Sequence, residues 1–196
     1  MKKLFALILS ITCLNAHAQD SLTYFNQSRE HIKNSGMKVL GSWAVANIAV
    51  GAIGNANTKD QTKYFHQMNA IWNVVNLGVA VAGYIGSKKS IDKSYNSEQT
   101  LIEQHKIEKI FLINGGLDLA YIGAGFYLSN RGNNNNDDKL KGYGSAVILQ
   151  GAFLLLFDAT MYTAEKHNGK RLIRFLQKNP LTFDGKKIGM IFNLDR

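Results

Sequence analysis

The sequence predicts an all-α protein: a four-helix transmembrane bundle behind a cleaved N-terminal signal peptide, with a short interfacial helix before the first span and a basic C-terminal tail after the last. Three observations predict it. Although 45% of the 196 residues are apolar, an ordinary share for a soluble chain, the charges and amides gather in tails and loops. They leave four windows of about 20 residues nearly free of Lys, Arg, Asp and Glu, the length that crosses a bilayer as a helix. Each window nevertheless carries an amide or a carboxylate close to its middle, and the glycines fall at helix-packing spacing rather than in phosphate-cradling loops.

In chain order, Met1-Lys2-Lys3 is followed by the apolar run Leu4 to Leu14 and then by Ala16-His17-Ala18. These are the three parts of a secretory signal, with cleavage expected after Ala18. The apolar run is about 11 residues, too short for an anchor. Cys13 is the only cysteine and leaves with the signal, so no disulfide, thiolate nucleophile or Cys-ligated metal is expected. Residues 19–36, with Leu22, Tyr24, Phe25 and Ile32 among polar residues, read as a short interfacial amphipathic helix that breaks at Asn34-Ser35-Gly36.

Residues 37–166 form the predicted membrane domain, with spans at about 37–56, 66–86, 109–129 and 143–163. Asn47 is central in the first span. Thr58 and Gln61 have capping-box spacing and predict the start of the second helix, whose Asn69, Asn73 and Asn76 share a face while Gly78, Ala82 and Gly86 make a small-residue row on another. Residues 87–109 are a charged connection that turns helical near Asn96. The third span carries Asn114, Asp118, Tyr121 and Gly125 on one face and Gly116, Ala120 and Ala124 on a second. Asn130 to Asp138 reads as a polar, mobile, functionally silent loop. The fourth span places Gln150 and Asp158 on one face. Residues 167–196 are the basic tail, with a short amphipathic stretch at 171–177, a stop at Pro180, and a hairpin signal at Asp184-Gly185 between two apolar runs.

Asp118 is the residue that most needs explaining. An ionisable group at membrane depth costs roughly 2.5–3.5 kcal/mol on insertion scales and is normally turned toward protein or a wet cavity. The candidate site is therefore a polar seam inside the bundle: Asn47, Asn69, Asn73, Asn76, Asn114, Asp118, Gln150 and Asp158. Amides in such a seam act as interhelical glue at roughly 0.6–2 kcal/mol each, whereas two carboxyls add the capacity to exchange protons. Asn47-Ile48-Ala49 also echoes Asp118-Leu119-Ala120, a weak sign of a duplicated hairpin.

No nucleophile–base pair, dinucleotide fingerprint or P-loop is visible, so an enzyme is not expected, and neither is a cofactor. His66, Glu103, His105 and Glu108 do not complete a metal-ligand pattern and are expected to cap and snorkel at helix ends. The formal net charge of +9 lies beside the spans and in the tail, where it suits membrane lipid with anionic headgroups rather than nucleic acid.

Several stretches together are similar to a known family. Trp43-Ala44 with Ala46 to Ala49, Lys63 to Asn69, Trp72-Asn73 with Val75 to Gly78, Glu103 to Lys109, and Gln150-Gly151 with Phe153 to Asp158 resemble small multipass membrane proteins from Bacteroidota, a domain of unknown function. The likeness covers nearly the whole mature chain. It implies a four-helix membrane protein behind a signal peptide and supplies no activity or site.

Two readings follow. One is a structural or accessory subunit of a cell-envelope assembly, binding a protein partner or a second copy through its small-residue rows and basic tail. The alternative is a small transporter or channel with a proton or cation relay through Asp118 and Asp158. The expected location is the inner membrane with the N-terminus periplasmic, although the positive-inside rule argues against that orientation, since most Lys and Arg would then lie outside.

Overall fold

The computed structural model describes residues 2–178 and two short strands, with side chains described for 21–178. Four α-helices follow one another: α1 (Lys2–Asn57), α2 (Asp60–Ser90), α3 (Ser97–Asn135) and α4 (Asp138–Lys178). Each has an apolar stretch long enough to cross a membrane. Strands β1 (Leu181–Phe183) and β2 (Ile188–Met190) pair antiparallel. The expected turn at Asp184-Gly185 and the stop at Pro180 lie outside the described residues, as do the side chains of residues 2–20, whose backbone is the start of α1.

The helices form two antiparallel hairpins, α1 with α2 and α3 with α4, joined because α4 also packs on α2 and α1. Backbone proximity rather than bulk holds them. A Cβ on Gly51 would stand 2.8 Å from the His66 carbonyl oxygen, one on Gly125 2.8 Å from the Gly144 carbonyl oxygen, and one on Gly142 2.7 Å from the Phe65 nitrogen. Each would force the pair of helices apart. Around this interior the surface is oily: Val45, Ile53, Val75, Leu112, Leu119 and Leu156 all stand exposed, while Asn69, Asn73 and Gln150 are buried. That distribution inverts the one water selects and leaves an apolar belt far beyond the scattered exposed side chains of a soluble monomer.

Several sequence expectations are corrected. Residues 19–36 are not a separate interfacial helix: α1 runs unbroken through Asn34-Ser35-Gly36, because Met161 of α4 fills the space beside Gly36 and only Gly, not Pro, interrupts the run. The capping box at Thr58 does not form. Thr58 closes α1 by donating through Oγ1 to the Gly54 carbonyl at 2.7 Å, and the N-cap of α2 is Lys59 with no side-chain bond. Asn96 does cap α3 in a box with Gln99.

The Asn-rich stretch is not a loop. α3 continues to Asn135, Asn136 takes the left-handed conformation at φ 53°, and the Asp137 N–H reaches the Gly132 carbonyl at 2.9 Å. Asp137 Oδ1 then accepts from the Lys139 and Leu140 amides at 2.9 and 3.1 Å and starts α4. Asparagine tolerates the left-handed region better than other non-glycine residues, so a run read as low complexity supplies a helix stop. The amphipathic stretch at 171–177 is likewise the end of α4, not an independent element of the tail.

Candidate functional site

The seam residues are brought together in two groups rather than one. The first is a closed ring of side-chain hydrogen bonds across α1, α2 and α4. Trp43 Nε1 donates to Gln150 Oε1 at 3.1 Å, Gln150 Nε2 donates to Asn69 Oδ1, Asn69 Nδ2 donates to Asn47 Oδ1 at 2.9 Å, and Asn47 Nδ2 returns to the Trp43 carbonyl at 2.8 Å. The Trp43 ring is held flat against Phe153, centroids 3.9 Å apart. Asn73 bonds back to the Asn69 carbonyl at 2.8 Å and accepts from Asn76 at 3.3 Å. The spacing i, i+4, i+7 places these three on one α2 face, and the ring uses that face to fix the register of three helices.

The second group is the carboxyl pair. Asp118 of α3 and Asp158 of α4 are 3% and 5% exposed, and their side chains meet at hydrogen-bond range. Ionised carboxylates only accept, so that contact becomes a hydrogen bond when one proton sits between them. Asp118 Oδ2 has no donor among the described residues. Asn76, Asn114, Asp118, Tyr121 and Asp158 line a cavity of about 180 Å³ between all four helices, together with Met37, Phe111 and Phe157. Gly125, seven residues on from Asp118 on the same α3 face, packs against Gly144 and Ile148 of α4 rather than lining the cavity.

Of the side chains expected at helix ends, Glu108 is buried rather than snorkelling, because it belongs to a polar network that sequence reasoning missed. Beyond the belt, α1, α3 and α4 continue as a three-helix head. Gln104 Nε2 donates to the Glu165 carbonyl at 2.7 Å, to Glu165 Oε2 at 3.3 Å and to Glu108 Oε1 at 3.2 Å, while Gln104 Oε1 accepts from Asn168 at 2.9 Å. Asn26 donates to Thr100 Oγ1 at 2.9 Å and accepts from Arg29 at 2.8 Å. Lys166 reaches Glu108 at 3.0 Å, and Lys33 reaches Glu30 at 2.5 Å. Leu22, Phe25 and Leu172 close the end of the head. Asn26 and Arg29 at i, i+3, Thr100, Gln104 and Glu108 at i, i+4, i+8, and Glu165, Asn168 and Leu172 at i, i+3, i+7 are the helical spacings that mark it.

The fold and its inside-out polarity define a class: a compact all-α bundle of four membrane-length helices with amides and carboxyls inside and aliphatic residues outside. Residues 39–159 match the model of a family of unknown function, DUF6992, and the chain belongs to that family. No curated protein and no solved structure matches it. The matched region holds the amide ring and both aspartates, whereas most of the head lies outside it.

Proposed function

We propose that this protein is a multipass protein of the inner membrane, reached through a cleaved signal peptide with the mature N-terminus periplasmic, and that it serves as a structural or accessory subunit of a cell-envelope assembly. The observation that carries the reading is a contrast among the glycines. Glycine inside a helix is roughly 0.5–1 kcal/mol less favourable than alanine, and the glycines at 51, 54, 125, 142, 144 and 151 offset that by close helix contact. Gly78 and Gly86 on α2 and Gly116 and Gly123 on α3 have nothing within 4 Å of a Cβ position. With exposed Ala82, Ala120 and Ala124 they form smooth outward tracks of the kind on which another spanning helix settles.

Gentle extraction of native membranes tests this. The wild-type chain is expected in a larger assembly, and Gly78→Leu with Gly116→Leu should release a folded bundle from it. A wild-type chain that elutes alone overturns the reading. The relay remains a second reading because of the Asp118–Asp158 contact. It requires flux of protons or Na⁺ into vesicles that Asp118→Asn with Asp158→Asn abolishes.

A further inference from the structure

The cavity beside the carboxyl pair is lined on its α2–α3 side by exposed side chains. α2 and α3 are not one of the closely packed helix pairs. They touch through Trp72 and Tyr121, edge to face with centroids 5.0 Å apart. Val79, Leu117 and Tyr121 line the cavity and are 54%, 49% and 39% exposed, so the wall between these two helices is an open cleft. Behind it lie two carboxyls within reach of each other, and Asp118 Oδ2 has no donor among the described residues. Asn76 gives its amide to Asn73 at 3.3 Å. A buried acceptor without a donor is costly in any interior and more so where no water reaches it.

We propose that this cleft receives a basic side chain, a lysine or arginine placed mid-span on a helix of a different protein, which pairs with Asp118 and Asp158. The proposal rests on the accessory-subunit reading and names the partner's chemistry. At about 180 Å³ the cavity is smaller than the roughly 300–1,000 Å³ of small-molecule sites and has room for one side-chain head. The occupant is a cation because the cleft presents acceptors, and intramembrane charges persist by pairing with opposite ones. A second copy of this chain cannot supply it. Residues 39–58, 64–87, 110–130 and 142–165 contain no Lys or Arg, so no span of a copy carries a cation to the level of Asp118. The partner is therefore a different chain, and one whose lone charge needs this neighbour.

The test uses the full chain in phosphatidylcholine vesicles and a synthetic Leu/Ala spanning helix with one Lys at its midpoint, against the same helix with Leu there. Energy transfer between labelled chain and helix reads association. The Lys helix is expected to bind at least about tenfold tighter than the Leu helix. Asp118→Asn with Asp158→Asn should erase that preference, whereas Asp118→Glu, which keeps the charge, should retain it. Equal binding of the two helices, or a preference that survives the double substitution, overturns the proposal. So does carboxyl-dependent proton or Na⁺ flux through the chain alone. If the double variant loses its thermal transition, the two single Asn variants decide, each expected to weaken the preference. A native partner that stays bound to the double variant sinks this proposal and leaves the accessory reading intact. Absence of any native assembly removes that reading, and the peptide assay still decides what the cleft binds.

Discussion

A Cβ on Gly151 would stand 3.2 Å from the Asp118 carbonyl oxygen, so α4 meets α3 backbone to backbone at the level of Asp118. Helical side chains lean toward their N-terminus. In the antiparallel hairpin the Asp118 carboxyl therefore points along α4 toward its C-terminal half, where Asp158 lies two turns beyond Gly151.

Gly151→Val should thus do more than crowd the core. The added methyls meet Ile122 and the Asp118 carbonyl, and overpacking of this kind costs about 1–3 kcal/mol. Unfolding of the detergent-solubilised chain by added dodecyl sulfate is expected to shift by that amount. Gly123→Ala, where the space is open, should be neutral or slightly stabilising.

The amide ring predicts a graded series. Asn69 accepts from Gln150 and donates to Asn47, so Asn69→Ala leaves two partners unsatisfied and should cost about 1–3 kcal/mol. Asn57, whose amide bonds its own helix at an exposed end, should cost less than about 0.5 kcal/mol when changed to Ala. The same unfolding titration separates them, and equal losses would show that the ring is not a unit.

In the head, the Gln104 amide donates to the Glu165 carbonyl, Glu165 Oε2 and Glu108 Oε1. Gln104→Leu keeps the volume and removes every one of those bonds, with an expected loss of about 2–3 kcal/mol. Gln104→Glu should be worse, because it sets a third carboxyl against two buried ones. Thermal melts of the two variants give the order, and a Glu variant as stable as wild type would contradict it.

At the α3–α4 turn, Asn136→Gly keeps the left-handed conformation at no steric cost and should leave the melting temperature within a degree or two of wild type. Asn136→Val should destabilise by about 1–2 kcal/mol. Similar melts for both would mean that the turn relaxes freely.

Much of the interior was legible in advance because helical periodicity is a local property. Asn69, Asn73 and Asn76 at i, i+4, i+7 had to share a face, and the carboxyl of Asp118 had to find protein in an oily segment. Asn130 to Asn135 mislead for an equally local reason: their polarity reads as loop, although Asn can both extend a helix and stop it. The small-residue rows at Gly78 and Gly116 have the spacing of helix-packing faces, but no helix among the described residues approaches them, because spacing alone does not say which face a neighbour covers.

The amino-acid sequence alone determined four membrane-length helices and which of their faces are polar, since oily length and a 3.6-residue repeat depend only on neighbours along the chain. Only the tertiary structure decided that the polar faces divide into an amide ring on α1, α2 and α4 and a carboxyl pair on α3 and α4, and that residues 21–34, 100–108 and 165–172 assemble into one head. Those outcomes depend on which backbones approach closely enough for a side chain to reach across. Glycines and side chains distant in sequence, such as Gly151 and Asp118 or Gln104 and Asn168, set that distance together.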